Sequence, residues 1–226
     1  REVKFRTQEV VQKNTLLENQ NKEIIQSINY AQRLQDAILP SKKLLEAMFR
    51  DFDIFFRPKD IVSGDFYWLE STEKYTFFAV ADCTGHGVPG ALVSVVGDNA
   101  LNRCINELML TDPGEILDRL TILVEHTFDN ADGIVSDGMD ICLCRWDHKS
   151  ELVYSGAFNP LYLLRKNEFL DFKADRQPIG KFIKRSPFTS TKIEVSKGDQ
   201  IFLFSDGYLD QFGGEKGKKL KLTGFK

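Results

Sequence analysis

The apolar positions of the chain change period near residue 51. Over the first forty residues Val3, Val10, Leu17, Ile24, Ala31 and Ile38 recur every seven positions, and the row four further on is mostly polar: Thr7, Asn14, Asn21, Ile28 and Gln35. One apolar and one largely polar row predict a long helix of weak coiled-coil character, and asparagines in the second row favour a parallel pair. A lone solvated helix or an unstructured tail is the competing reading. A helix of about 37 residues reaches roughly 55 Å, too far to fold back wholly onto a compact domain. Pro40 stops it, and Ser41 is placed to cap a short helix over residues 42 to 49.

Beyond Asp51 the runs are short, rich in aromatic and β-branched residues, and separated by turn residues. "DIFFRP" (53–58), "DFYWLE" (65–70), "YTFFAVAD" (75–82), "MDICLCRW" (139–146), "ELVYSGA" (151–157), "LYLLR" (161–165), "FTSTKIEV" (188–195) and "QIFLFSD" (200–206) read as strands. Between them lie two helical patterns. One has Pro89 at its first position and runs to about Leu108; the other opens on Asp112-Pro113, with Glu115 three residues after the cap. Strands, then two helices, then strands predict an α+β fold: two packed antiparallel β-sheets flanked by helices, preceded by the long N-terminal helix. The absence of βαβ alternation argues against a dinucleotide-binding or P-loop domain. There is no internal repeat, and the one biased segment is the lysine-rich tail.

Composition narrows the chemistry. Of 226 residues, 42% are hydrophobic and 12% aromatic, enough for one sizeable core, while 30 basic and 33 acidic residues leave a formal charge of −3. That balance gives no global argument for nucleic acid or an anionic membrane. No apolar run is long enough to span a bilayer and none resembles a signal peptide, so the expected location is cytoplasmic without membrane insertion. Cys83, Cys104, Cys142 and Cys144 include a C-x-C pair but no C-x-x-C. Cys142 and Cys144 share one strand face and read as small buried residues rather than zinc ligands.

Candidate chemistry sits at strand ends. Asp82 closes an apolar run and is followed by Gly85-His86-Gly87, a corner that suits a cation or phosphate but is also an ordinary turn. Asp65 follows Ser63-Gly64, Asp206 ends "LFSD", and Asp140 follows Asp137-Gly138. Hard divalent cations prefer carboxylate and carbonyl oxygens, and glycines let a backbone carbonyl approach. Converging carboxylates without a cation would repel, so a metal explains the set economically; Asp beside Gly is equally the commonest turn dipeptide. His86, with a side chain that titrates near neutrality, is either a general acid or a surface residue. His126, within a helix, and His148, in a hairpin turn, read as structural. Cys83 beside His86 suggests a thiol nucleophile only weakly, since no base is specified.

The ordered motifs "VSGDFYW" (62–68), "ADCTGHGVPGAL" (81–92), "DGMDICLC" (137–144), "YSGAFNPLYLLR" (154–165), "QPIG" (177–180) and "LFSDGYLDQ" (203–211) resemble those of bacterial metal-dependent serine/threonine phosphatases of the type 2C superfamily. The similarity is to the stage II sporulation protein E-type branch shared with regulators of stress sigma factors. It covers roughly residues 52 to 212, and "AILPS" before it is similar to the helical linker that follows sensor modules in such proteins. The resemblance implies two Mn²⁺ or Mg²⁺ ions at one end of a two-sheet sandwich. Asp65 would hold one ion, Asp82 would bridge both, Cys83 would offer its main-chain carbonyl, and Asp206 would hold the other. In eukaryotic relatives a histidine follows the bridging aspartate almost directly. Here His86 lies four residues on, which makes it the candidate catalytic acid by position alone. The pattern also includes a further aspartate in a last strand beyond "SDG", and the sequence reaches Lys226 before one. The expectation is therefore a fragment lacking the C-terminal part of the domain, with activity in doubt for that reason. No arginine stands at the offset before Asp65 that would grip phosphate; Arg57 and Lys59 are near.

The organisation expected is a linker helix over 1–50 and a phosphatase-type domain over 51–226. The expected reaction is hydrolysis of phosphoserine or phosphothreonine on a regulatory protein of the anti-sigma-factor-antagonist type, by water activated between two cations about 3.5 to 4 Å apart. Partners would be that phosphoprotein, a second copy through residues 3–38, and an upstream sensor domain; pairing or rotation of those residues would bias Asp65 and Asp82. One alternative is a non-catalytic phosphatase-like scaffold dimerised through the helix, another a metal-dependent phosphohydrolase of small molecules.

Overall fold

The computed structural model describes residues 2–129, 137–213 and 217–225. The side chain of Val3 and three residues of the lysine-rich tail, 215, 216 and 226, lie outside the described residues. Helix α1 spans Glu2–Ile38 and α2 Lys42–Met48, separated at Pro40 as expected; the Ser41 hydroxyl accepts the Leu44 N–H and caps α2. Then follow β1 (Phe66–Ser71), β2 (Thr76–Cys83), α3 (Gly87–Asn106), α4 (Pro113–Asp129), β3 (Met139–Trp146), β4 (Glu151–Ala157), β5 (Leu161–Arg165), β6 (Glu168–Phe172), β7 (Thr191–Glu194) and β8 (Gln200–Phe202). A one-turn α5 (Asp206–Leu209), a small ribbon of β9 (Phe212–Gly213) and β10 (Lys218–Lys219), and α6 (Lys221–Phe225) complete the described chain.

Two antiparallel sheets carry the fold, in the orders β1-β2-β3-β4-β7 and β6-β5-β8. Period-two alternation assigns each strand residue to a layer. On β3, Ile141 and Leu143 join Phe77, Ala79 and Ala81 of β2 beneath α3 and α4, whereas Cys142 and Cys144 join Leu152 and Tyr154 against Leu161 and Leu163 of the second sheet. β3 is therefore apolar on both faces, and Cys142 and Cys144 are buried, free thiols on one face. On the outer face of the smaller sheet, Tyr162, Phe202 and Phe169 meet Phe204 and Phe225, so α6 covers it with one aromatic ring.

Several local expectations are corrected. Residues 53–58 form no strand: Pro58 lacks a ladder donor, and the aromatics there pack edge-on instead, Phe55 on Tyr208 and Phe56 on Tyr67. Pro89 is the third helical residue of α3 rather than the first, still within the turn whose N–H groups have no helical acceptor. β6 was not anticipated. The Lys166-Asn167 turn that makes the β5-β6 hairpin has both residues in the left-handed region (φ 48° and 64°) without the usual glycine. "QIFLFSD" splits: β8 ends at Phe202 and Asp206 opens α5.

Along α1, Val10, Leu17 and Ile24 are exposed as a paired helix would leave them, but Gln35 is not part of a polar seam: it is buried against the domain. Among the described residues no helix is long and apolar enough to cross a membrane.

Candidate functional site

The strand pairing itself assembles the acidic end of the molecule. β2 and β3 run antiparallel with Asp82 directly opposite Asp140, so the next-to-last residue of one strand faces the second residue of the other. β1 lies on the other side of β2, with Phe66 opposite Ala81, which brings the preceding Asp65 to the same edge. The second sheet delivers Asp206 at the start of α5, and the neighbouring Ser205 hydroxyl donates to Asp65 Oδ2 at 2.6 Å.

Electrostatics identifies Asp82 as the hub. Its carboxyl lies within hydrogen-bonding reach of both Asp65 and Asp206, and burial followed by the charges of those two pushes its pKa up to about 8. Asp140 is raised to about 6, by burial and then by Asp206. The Cys83 thiol is pushed well up by burial and by Asp82, Asp65 and Asp137, and its side chain is buried. A thiol held protonated is a poor nucleophile, which removes the weak thiol reading. Among the described residues no group of three or more His, Cys, Asp or Glu side chains is placed so that it could hold a metal ion as it stands. What exists is a set of carboxyls crowded around one proton-sharing member.

These raised values have a testable sign. A carboxyl whose folded pKa lies above its unfolded value of about 4 favours the folded state in its protonated form, so its stabilising contribution is full below about pH 4 and is lost as pH rises through the folded pKa. For Asp140 and Asp82 that window runs from about pH 4 to about pH 8. Asp147 and Asp199, which are shifted down by hydrogen bonds and by Lys149 and Arg165, act oppositely, losing stabilisation only as pH falls below their usual range. The melting temperature of chelator-treated protein is expected to fall between about pH 5 and about pH 8.5, and Mn²⁺ is expected to abolish the fall; scanning calorimetry with and without the cation checks both.

The loop between β2 and α3 is held by close backbone packing. Gly85 and Gly87 flank His86 with φ of 85° and 62°, in the region that disfavours side chains. A Cβ on Gly64 would stand 2.8 Å from the Gly85 carbonyl oxygen and 3.0 Å from that of Cys83, and one on Gly90 would meet the same Gly85 oxygen at 2.6 Å. Glycines at 64 and 90 thus let the Cys83 carbonyl lie beside the Gly64-Asp65 peptide. Thr84 ties this loop to the start of β3: its Oγ1 donates to Asp137 Oδ1 at 2.9 Å and accepts the Gly138 N–H at 3.1 Å.

The structure therefore brings Asp65, Asp82, the Cys83 carbonyl and Asp206 together. It does not bring His86 into the carboxylate group. That side chain is 76% exposed, and its ring hydrogen bond is to Asp60 Oδ2 at 2.9 Å. The His148 ring lies tilted against that of Trp146 in its turn, with centroids 5.0 Å apart, and His126 lies on α4. Asp140 is the member sequence reasoning left out of the ligand set. The signal was available, because an antiparallel neighbour of a strand that ends in Asp82 must begin beside it, but the partner strand is not written in the sequence.

Comparison with known proteins agrees with this architecture. The family model described as Stage II sporulation protein E (SpoIIE) matches residues 72–223. Phosphoserine phosphatase RsbU of Bacillus subtilis (strain 168) is 26% identical over 201 residues, covering 87% of this chain and 57% of the relative, so the chain spans little more than half of that protein's length. The SiaA-PP2C domain of Pseudomonas aeruginosa superposes with a TM-score of 0.82 at 30% identity, over 91% of this chain and 80% of that one. The PP2C phosphatase domain of SpoIIE from Bacillus subtilis gives 0.54 at 16% identity, over 66% and 43% of the two chains, a likeness of fold. Two antiparallel sheets beneath paired helices, aspartates of β2 and of the segments before β1 and at the start of α5 brought together, and a family match over more than half the sequence lead to one conclusion: the chain belongs to the stage II sporulation protein E family of PP2C-type serine/threonine phosphatase domains.

Proposed function

We propose that this chain hydrolyses phosphoserine or phosphothreonine on a regulatory protein, of the anti-sigma-factor-antagonist type, with two divalent cations, Mn²⁺ or Mg²⁺, at the carboxylate cluster. The observation that carries the reading is the convergence of Asp65 and Asp206 on Asp82, whose proton affinity is raised by burial first and then by that company. The residues present fit hard cations: the donors are carboxylate oxygens and the Cys83 carbonyl, with the buried thiol protonated and out of play. Asp82 would be shared between the ions, Asp65 and Asp206 would each hold one, and Asp140 is a fourth acidic neighbour. When bound, such ions acidify water and neutralise phosphoryl charge.

The chain's own groups supply orientation. Ser205 fixes one oxygen of Asp65, the glycine contacts hold the Cys83 carbonyl beside it, and the β2-β3 register holds Asp82 against Asp140. His86, bonded to Asp60 in solvent, is a weak candidate acid for the leaving serine oxygen. In this reading residues 1–50 are a linker and 51–226 the phosphatase domain, acting in the cytoplasm downstream of a sensor.

The test is Mn²⁺-dependent release of phosphate from a phosphoserine protein, with a nucleotide as competing substrate. Turnover on the phosphoprotein is expected. Equal or better turnover on the nucleotide would favour a small-molecule phosphohydrolase, and absence of both would remove the enzymatic reading. The exposed Val10, Leu17 and Ile24 of α1 favour self-pairing through this helix. They also support the second reading, a non-catalytic dimeric scaffold, which predicts a dimer without turnover.

A further inference from the structure

Among the described side chains of α1, Gln35 is the buried one, 4% exposed. Its carboxamide makes three hydrogen bonds to segments far away in sequence. Nε2 donates to the Ser63 carbonyl at 2.6 Å and to Ser94 Oγ at 2.9 Å, while Oε1 accepts the Ser63 N–H at 3.0 Å. The Ser94 hydroxyl in turn donates a hydrogen bond to the Ala91 carbonyl at 2.8 Å, which anchors the arrangement in α3. Ser63 belongs to no strand, so its peptide groups lack ladder partners. A planar amide side chain offers a donor and an acceptor together, as a neighbouring strand would.

The gripped residue leads directly to the carboxylate cluster. Ser63 Oγ accepts the Asp65 N–H at 3.0 Å, and Gly64 between them packs on the carbonyls of Cys83 and Gly85. The Asp65 side chain is then held by the Ser205 hydroxyl. From the Gln35 carboxamide to the Asp65 backbone N–H there is thus a continuous series of hydrogen bonds through Ser63, with the glycine-packed turn at Gly64 between them.

We infer that Gln35 is a positioning residue for the carboxylate cluster, acting through Ser63 to set the backbone that presents Asp65. It is not a catalytic residue, since its hydrogen bonds go to Ser63 and Ser94 rather than to the carboxylates. The inference rests on the phosphatase reading only for its kinetic consequence; the effect on the backbone and on cation affinity stands apart from turnover.

The test compares the 226-residue chain with Gln35→Met, which keeps side-chain length and removes all three bonds, and with Ser63→Ala, which keeps the Gln35 grip but removes the acceptor for Asp65 N–H. Amide hydrogen exchange at Ser63 and Asp65, Mn²⁺ titration by calorimetry, and turnover against Mn²⁺ concentration are read together with the melting temperature. In Gln35→Met, exchange at both amides is expected to accelerate about tenfold or more, and the half-saturating Mn²⁺ concentration to rise about tenfold, in the range seen when groups behind metal ligands are removed; kcat at saturating Mn²⁺ recovers. In Ser63→Ala the Asp65 amide and the Mn²⁺ requirement shift the same way. A lowered melting temperature in Gln35→Met with unchanged exchange and unchanged Mn²⁺ affinity would reduce Gln35 to a structural tether and overturn the inference. If Gln35→Met does not fold, an unchanged Mn²⁺ affinity in Ser63→Ala overturns it equally. A wild-type chain that binds Mn²⁺ but releases no phosphate would defeat the proposed function, while the exchange and calorimetric results would still decide the role of Gln35.

Discussion

Replacing Asp82 by asparagine is expected to lower Mn²⁺-dependent phosphate release by about a thousandfold or more, roughly 4 kcal/mol of barrier, while raising the melting temperature of the metal-free protein. Both effects have one origin. Asn keeps the shape of the side chain and removes a charge that burial disfavours and that Asp65 and Asp206 oppose, so the folded chain loses that cost and, in the proposed mechanism, the cations would lose a shared ligand. Since Asp82 is only partly buried, solvent screens much of the repulsion and the rise should be a few degrees, clearest near pH 9. Retained turnover in Asp82→Asn would remove Asp82 from the centre of the mechanism. A fall in metal-free melting temperature would show that the aspartate is held by favourable contacts instead.

The second large effect is expected from Gly90→Ala. In an open helix this change stabilises by about 1 kcal/mol, but here the added methyl would meet Gly85 O at 2.6 Å, with Gly85 C and Gly64 Cα at 3.0 Å. All three are backbone atoms, which cannot rotate aside. Overpacking of this kind costs about 1 to 3 kcal/mol, so the sign should reverse. The strain falls on the turn presenting the Cys83 carbonyl and on the peptide leading to Asp65, so turnover should drop by about a hundredfold even well below the melting point. Denaturant unfolding and turnover at saturating Mn²⁺ check the two parts. A stabilised, fully active Gly90→Ala would mean that the helix can shift without disturbing the site.

Much of this architecture was legible wherever a residue's role follows from its own strand or helix. The run 139–146 does form a strand with Cys142 and Cys144 buried on one face, and Asp112 does cap α4, its Oδ1 accepting the N–H groups of Gly114 and Glu115. Asp65, Asp82 and Asp206 could be picked out because each adjoins an apolar run at a turn. Where a role depends on what lies opposite, the sequence is silent. Asp140 matters through its register with Asp82, and Gln35 through a peptide 28 residues away. In heptad spacing Gln35 counted as one more polar position of a coil. The aromatic run at 53–58 misled in the other direction: β-type composition describes a surface that packs well on neighbours, and here the neighbours are rings rather than a strand.

Ser205 and Asp65 share a hydrogen bond across 140 residues of chain, so the acidic centre is a seam between distant stretches rather than a loop that could be lifted out whole. Tolerance is divided accordingly. Lengthening a connecting loop is cheap, since each doubling of its length adds only about 0.6 kcal/mol of closure entropy, whereas slipping one strand by a single residue displaces a carboxylate by about 3.3 Å and turns it to the opposite face. Insertions in the connections can therefore accumulate without harm to the seam, and a shift of pairing in either sheet cannot.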